Sequence, residues 1–202
     1  GLFITSAEVS GLSFVFNLSE KIYWWKVRAK DKANNYSLWS STWRVIVDTS
    51  APLSPVLSSP ADNSAFNTNL TTFTWSSVSD NGPSGISNYE CVVSTDEYFG
   101  IVNYSSYPQV ATAKILLPQE KYFWKVRCKD NANNYSSYTS TWSVIIDTSP
   151  PYIKDNQPGD DTWRNESGTT YDVDFFDEPS TRGSGLFSAE YIIYPSTTPT
   201  GA

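Results

Sequence analysis

Carboxylates are the side chains of this sequence that come nearest to supporting catalysis. The chain has no histidine, which removes the usual general base and every Ser–His–Asp or Cys–His nucleophile. Two cysteines are too few for a zinc site built from Cys and His. A carboxylate pair of the glycosidase kind would suffice in principle, but the only acids repeated along the chain are Asp31/Asp130 and Asp48/Asp147. The sequence therefore predicts no catalytic residue, no enzyme activity and no cofactor.

Calcium is the metal that these acids could bind. It takes 6–8 oxygen ligands, and Asp31 or Asp130 with neighbouring amides offers few of them. The sequence instead favours Asp31 and Asp130 as caps of a turn, bonded to backbone N–H groups. Residues 149–202 are the better candidate, although alternation with apolar residues also fits a solvated strand face. Calcium in this segment stays open as an alternative; its acids include Asp155, Asp160, Asp161, Asp172, Asp174, Asp177 and Glu178.

Four loop aromatics could bind a ligand, for instance a carbohydrate. They are Tyr98, Phe99, Tyr104 and Tyr107, within STDEYFGIVNYSSYP. The alternative is that they cover the edge of a sheet, which amphipathic aromatic rings commonly do.

An internal repeat indicates which elements position these residues. Residues 23–52 and 122–151 are identical at 21 of 30 positions, 99 residues apart. Between Pro52 and Asp147, short runs rich in Val, Ile, Thr and aromatic residues alternate with turn signals such as DNGPSG. We count seven such runs and no sustained helical period. Seven strands in under a hundred residues predict an all-β sandwich.

Alternation assigns the two faces of the strand YFWKVRCK. Tyr122, Trp124, Val126 and Cys128 share one face, and three cations share the other. The apolar face must be the core side because unpaired buried cations are prohibitive. The cations Lys125, Arg127 and Lys129 are matched upstream by Lys26, Arg28 and Lys30, with Tyr138 and Trp39 nearby. This arrangement resembles the cation–π ladder of cytokine-receptor modules, and its repetition in both copies favours a stabilising role.

The spacing Leu116-x-Pro118-x-x-x-Tyr122 resembles the tyrosine corner of fibronectin type III domains. Trp75 occupies the place of that family's B-strand tryptophan. The longer phrase YFWKVRCKDNANNYSSYTSTWSVIIDTSPP is similar to fibronectin/immunoglobulin-like repeats of bacterial secreted and surface proteins. The usual Ala-Gly-Asn turn reads Ala-Asn-Asn in both copies here, so Asn34 and Asn133 are expected to adopt the left-handed conformation.

The resemblance implies tandem seven-stranded sandwiches. Residues 53–148 would form a complete fibronectin type III-like module, 1–50 the C-terminal half of another, and 149–202 the start of a divergent third, so that the chain is expected to be part of something longer. In the third segment, YDVDFF and AEYIIY are predicted strands. The residues expected to carry the structure are Trp75, Leu116, Pro118, Tyr122, Trp124, Val126, Asp130, Asn133, Asn134, Trp142, Tyr23, Trp25 and Trp43.

The two cysteines fall on core-facing positions of strands that are neighbours in the resembling fold. Its usual register sets Cys128 beside Tyr89 and Cys91 beside Val126, so the cysteines are diagonal. Diagonal neighbours lie roughly 7–8 Å apart, slightly beyond easy disulfide reach. Two buried thiols are therefore favoured over a bridge.

Charge and composition limit the partners. The net charge is −7, with −6 of it in residues 149–202 and no basic stripe, which argues against nucleic acid. No apolar run is long enough to span a membrane. The leading hypothesis is a non-catalytic spacer array in a large extracellular or surface-attached protein, in contact with neighbouring modules. Two alternatives stay open: an adhesin or carbohydrate-binding module that contacts polysaccharide or an extracellular protein, and an accessory module of a secreted enzyme whose catalytic domain lies elsewhere.

Overall fold

A computed structural model describes residues 8–9, 11–155, 173–177 and 183–192 of the 202-residue chain. All regular structure in these residues is β. Strands β1 and β2 form an N-terminal hairpin, β3 to β10 form what we call the central sandwich, and β11 and β12 form a C-terminal hairpin. The strands are β1 Lys21–Trp25, β2 Trp43–Val47, β3 Leu57–Ser59, β4 Ser64–Phe66, β5 Leu70–Trp75, β6 Ile86–Ser94, β7 Tyr104–Ser106, β8 Thr112–Leu116, β9 Glu120–Asp130, β10 Trp142–Ile146, β11 Tyr152–Asp155 and β12 Val173–Phe176.

The central sandwich packs a three-stranded sheet, in the order β3-β5-β8, on a five-stranded sheet, in the order β4-β10-β9-β6-β7. The predicted all-β sandwich is confirmed. The structure adds an eighth strand, β4, which the sequence analysis did not predict. Strand β4 pairs in parallel with β10 through Ser64–Val144 and Phe66–Ile146. This pairing covers the outer edge of β10, where Ser143 is buried and hydrogen-bonded to Asp62 and Asn63.

The core lies between the two sheets. The predicted inward residues of β9 are all buried, and Trp124 contacts Phe73 edge to face, with 4.8 Å between ring centroids. One expectation was wrong. Leu116 of the corner motif is 66% exposed, whereas Leu117 is fully buried. Alternation along β8 explains this, because Ala113, Ile115 and Leu117 share the inward face.

The two hairpins are more exposed than the sandwich. In β1–β2, Trp25 pairs with Trp43 in register, and their rings lie 5.7 Å apart although both are about half exposed. In β11–β12, Tyr152 stacks on Phe176 at 5.2 Å. The predicted strand AEYIIY forms no strand over residues 189–192, and its remainder lies outside the described residues. The described part of the chain has no helix long and apolar enough to cross a membrane.

Candidate functional site

The repeated Asp-x-Ala-Asn-Asn phrase forms the same turn in both copies. Oδ1 of Asp130 accepts hydrogen bonds from the backbone N–H groups of residues 132 and 134, each at 2.8 Å. Asp31 does the same for residues 33 and 35, at 2.9 and 2.8 Å. Asn34 and Asn133 have φ values of 72° and 73°, as predicted for the position where the resembling repeats usually have glycine. The turn-capping role predicted for both aspartates is confirmed.

A ladder of cations and aromatic rings crosses the outer face of β9. The Arg127 guanidinium stacks between Tyr135, at 4.2 Å, and Tyr138, at 4.6 Å. Lys125 lies 4.7 Å from Tyr138 and 3.9 Å from the ring of Phe99, a contact that the sequence analysis did not predict. Upstream, Arg28 lies 3.9 Å from Tyr36 and 4.7 Å from Trp39, so the predicted stacking is present in both copies.

Glu90 of β6 closes the ladder in the central sandwich. Its carboxylate accepts from Arg127 Nε, which lies opposite it in the β6–β9 register, and from the Tyr138 hydroxyl at 3.0 Å. Burial, followed by this hydrogen bond, raises the pKa of Tyr138 to about 12. Among the described residues, no carboxylate plays this part for Arg28.

The four candidate ligand aromatics are not equivalent. Phe99 belongs to the ladder, and Tyr104 packs on Tyr122 of the core at 6.1 Å. Tyr98 is 89% exposed and Tyr107 is 61% exposed. The Tyr107 hydroxyl makes a 3.4 Å contact with Glu90. The pair that remains accessible for a ligand is therefore Tyr98 and Tyr107, beside edge strand β7.

The first joint is the region where the chain leaves β2 and meets the central sandwich. Oδ2 of Asp48 accepts from the backbone N–H of Ser84 at 2.9 Å, and Oδ1 accepts from that of Ser50 at 3.0 Å. Asp80 accepts from the backbone N–H of Gly85 at 2.7 Å, and Gly85 has a φ of 77°. These bonds tie the end of β2 to the loop between β5 and β6.

Close packing accompanies these bonds. A Cβ atom placed on Gly82 would lie 2.0 Å from Oδ1 of Asp48, so only glycine fits without displacing the carboxylate. The Asn134 side chain donates to the carbonyl of Asp48 at 3.2 Å, which adds the turn after β9 to the same contact. Asp48 is 8% exposed.

The second joint, after β10, repeats the first. Oδ2 of Asp147 accepts from the backbone N–H of Ser184 at 2.7 Å, and Oδ1 accepts from that of Ser149 at 3.1 Å. Asp177 accepts from the backbone N–H of Gly185 at 2.6 Å, and Gly185 has a φ of 81°. The sequence analysis noted the repeated acids but missed their Ser-Gly partners, which stand 100 residues apart.

A side-chain acceptor repeats as well. Glu20 accepts from the Ser50 hydroxyl at 2.7 Å, and Gln119 accepts from the Ser149 hydroxyl at 2.9 Å. Glu20 lies just before β1, which pairs with β2, and Gln119 lies just before β9, which pairs with β10. In both cases the chain enters the joint from the second strand of the pair. The joint therefore has the same three parts on both sides of the central sandwich.

Three carboxylates converge at the first joint. Oxygens of Asp48, Asp80 and Asp130 lie within 4.8 Å of one another. All three accept backbone N–H hydrogen bonds, which offset the repulsion between them. Hydrogen bonds from Ser84 hold the pKa of Asp48 below its ordinary value. The same effect of Ser184 lowers the pKa of Asp147.

The calcium prediction for residues 149–202 is only partly within the described residues. Asp177 accepts from Gly185 as stated above, and Asp174 lies on an exposed position of β12. Asp160, Asp161, Asp172 and Glu178 lie outside the described residues, as does the side chain of Asp155.

Both cysteines are free and fully buried. Cys128 pairs with Tyr89 and Cys91 with Val126, which confirms the predicted diagonal register. Burial raises the pKa of Cys91 to about 12 and that of Cys128 to about 11.

Comparison with known proteins finds a similar enzyme sequence and several similar solved structures. Endoglucanase B of Cellulomonas fimi is 34% identical over an alignment of 139 residues, and the alignment covers 64% of this chain but only 13% of the relative. Similar solved structures include fibronectin(III)-like modules of Clostridium thermocellum CbhA, with 18% identity, 65% of each chain covered and a TM-score of 0.42. A human fibronectin type III domain from KIAA0970 is 17% identical, with 59% of this chain and 87% of that chain covered and a TM-score of 0.34. No family model matches the chain.

Proposed function

We propose that this chain is a non-catalytic structural array in a large extracellular or surface-attached protein. Residues 53–148 would be a complete module, 1–50 the second half of the preceding one and 149–202 the start of the next. The observation that carries the proposal is the repeated joint: Asp48 accepts from the backbone N–H of Ser84, and Asp147 accepts from that of Ser184, although the sequence around Ser184 has diverged. Selection for one relative orientation of successive modules explains such a repeat.

The physical effect of each joint is to restrict rotation between units. A chain linked only by flexible residues would sample many orientations. Here backbone and side-chain bonds engage both sides of a proline-bearing connection, TSAPLSP at the first joint and TSPPYIK at the second. Directional polar contacts of this kind favour a defined spacing between successive units. They do so without a large apolar interface.

The parent protein is proposed to be a carbohydrate-active enzyme. The similarity to endoglucanase B supports an accessory position for these modules, with the catalytic domain elsewhere in the parent. In that position the array would set the distance between the catalytic domain and another domain or the cell surface.

Nuclear relaxation on the full chain tests the spacer role. If the first joint is rigid, backbone amides of β1–β2 and of the central sandwich report one rotational correlation time. Gly82→Ala, which forces the Asp48 carboxylate away, is expected to give β1–β2 a shorter apparent time. Gly11→Ala is the matched control, since its Cβ would come no nearer than 4.0 Å to any atom. Independent tumbling of the wild-type units would refute a spacer that depends on the joint.

Polysaccharide binding is a second candidate, favoured by the exposure of Tyr98 and Tyr107 together with Ile101 and Val110 near β7. Aromatic rings of this kind are suited to stacking on sugar faces. The test is a glycan array and an insoluble-cellulose pull-down, with and without calcium. Loss of binding in Tyr98→Ala and Tyr107→Ala, but not in Tyr191→Ala, a control at another exposed tyrosine, would favour a binding module. If the folded chain binds none of these polysaccharides, the spacer role is the one proposal that remains.

A further inference from the structure

The loop between β5 and β6 contains the one Asn-Gly pair of the sequence, Asn81-Gly82, within DNGPSG. Asparagine followed by glycine is the sequence most prone to spontaneous deamidation, because glycine has no side chain to hinder attack of its backbone nitrogen on the asparagine side chain. Residues 76–85 form no strand or helix, and Asn81 is exposed. This pair is therefore the position of the chain where deamidation is expected first.

The first joint requires the glycine that makes this pair labile. A Cβ atom on residue 82 would lie 2.0 Å from Oδ1 of Asp48, so a larger residue there would displace that carboxylate. The Asn81 side chain is itself part of the joint, because its Nδ2 donates to the carbonyl of Ala51 at 2.9 Å. The chemical lability and the closure of the joint thus depend on the same two residues.

The closed joint restrains both reacting groups. The Gly82 N–H must lose its proton before the nitrogen can attack, and it donates to Oδ1 of Asp80 at 3.2 Å. The Asp80 carboxylate disfavours deprotonation of this N–H, because a nearby negative charge raises the energy of the amide anion. The bond from Asn81 to Ala51 fixes the side chain that must turn toward the nitrogen. Deamidation is therefore expected from states in which the joint has opened locally.

The reaction needs no group outside the chain except water. The Gly82 nitrogen forms a bond to Cγ of Asn81 and the Cγ–Nδ2 bond breaks, so that ammonia leaves with the proton that the nitrogen gave up and a five-membered succinimide remains. Water then opens either carbonyl of the ring, which gives aspartate or isoaspartate at position 81. An open cleft of about 520 Å³ gives water access to the pair, and it is lined by Glu20, Lys21, Ile22 and residues 81–83.

Either product opposes closure of the joint. Both replace the Nδ2 donor by a carboxylate, which repels the Ala51 carbonyl instead of donating to it. The new charge also lies in a loop whose Asp80 already has carboxylate oxygens within 4.8 Å of those of Asp48 and Asp130. Isoaspartate additionally lengthens the backbone by one methylene just before Gly82, where the packing against Asp48 is close.

The second joint lacks the reactive pair. Where the first joint reads DNGPSG, the chain that ends in Ser184-Gly185 reads STRGSG, with no asparagine. We propose that Asn81 is a site of spontaneous deamidation, which irreversibly releases the first joint and leaves the second intact. The proposal rests on the spacer function proposed above, since only a joint that is closed beforehand can be released.

Ageing of the full chain at mildly alkaline pH tests the chemistry, with peptide mapping by mass spectrometry that resolves asparagine, aspartate and isoaspartate. Conversion is expected at Asn81, while Asn69, an exposed asparagine followed by leucine, should stay unchanged. Asp48→Ala removes an acceptor of the joint and should accelerate conversion by about tenfold or more, the value of one charge-assisted hydrogen bond. Glu97→Ala, a matched charge removal at an exposed position, should leave the rate unchanged.

Two variants at the pair separate the chemistry from the opening of the joint. Gly82→Ala displaces Asp48 but hinders the attack, so Asn81 should convert more slowly in it than in Asp48→Ala. Asn81→Gln would have to close a less favourable six-membered ring, so its tumbling should not change on ageing. No conversion of Asn81 in Asp48→Ala, or equal rates in Asp48→Ala and the wild type, would overturn the inference.

Nuclear relaxation before and after ageing connects the chemistry to the joint, with the converted chains separated by anion exchange through their added charge. In the fresh wild type, β1–β2 and the central sandwich should share one correlation time. After conversion β1–β2 should report a shorter time, while β11–β12 should be unchanged. Converted chains that keep the shared time would overturn the inference and leave the spacer function standing. Independent tumbling already in the fresh sample would refute the spacer function itself, and the release with it.

Discussion

Glu90→Ala is expected to lower the free energy of unfolding of the central sandwich by about 2 kcal/mol. The side chains of Glu90 and Arg127 are 14% and 29% exposed. Breaking a fully buried ion pair costs about 3–5 kcal/mol, and a charge-assisted hydrogen bond contributes about 1.5–3 kcal/mol. Because Arg127 retains contact with water, the loss of unfolding free energy should fall within the range for a charge-assisted hydrogen bond. For a domain of this size, about 2 kcal/mol corresponds to a decrease of about 8–16 °C in Tm.

The assay is thermal unfolding of the full chain, followed by tryptophan fluorescence and near-UV circular dichroism. Glu97→Ala removes the same charge from an exposed position and should change Tm by no more than about 2 °C. In the double variant Glu90→Ala/Arg127→Ala, the two effects should be clearly less than additive, because the residues share one interaction. Equal Tm values for Glu90→Ala and Glu97→Ala would refute the assignment of Glu90 as the residue that closes the ladder.

Three further predictions concern the core, the thiols and the joints. Phe73→Ala should destabilise the sandwich by about 3–5 kcal/mol in denaturant unfolding, because the ring is fully buried against Trp124. Cys91 and Cys128 should react with a thiol reagent only at the rate of unfolding, since both are buried and have raised pKa values; fast labelling of folded protein would contradict this. The pKa values of Asp48 and Asp147 are lower in the folded chain than the ordinary value of 3.8, so their ionised forms stabilise both joints fully at pH values above 3.8. This stabilisation should be lost as the pH falls through the lower pKa values of the folded chain. Relaxation measurements at decreasing pH would detect the loss.

The fold was largely predictable because local signals agreed with one another. Alternation in YFWKVRCK assigned both the core and the ladder of β9, and the repeated Ala-Asn-Asn phrase predicted the left-handed Asn34 and Asn133. The diagonal placement of the two cysteines followed from the usual register of the resembling fold. Each of these features depends on residues close together in sequence or on strand neighbours that the fold class determines.

The joints were not predictable because their partners are distant in sequence. Asp48 and Ser84 are separated by 36 residues, and Asp147 and Ser184 by 37, with no local pattern that connects them. Strand β4 was missed for a related reason. Turn-forming residues precede Ser64–Phe66, and this segment becomes a strand only through parallel pairing with β10. The assignment of Leu116 failed because a one-residue change in alternation exchanges the buried and exposed leucines.

A distance distribution across the second joint tests the repeated-joint account most directly, because the sequence there has diverged from the first. Spin labels at Lys114→Cys and Ser188→Cys occupy exposed positions, while the native thiols are buried. The account predicts one narrow distribution, comparable in width to that of a label pair within the central sandwich, which broadens when Asp147→Ala removes the acceptor of Ser184. A distribution that is already broad with Asp147 in place would contradict it.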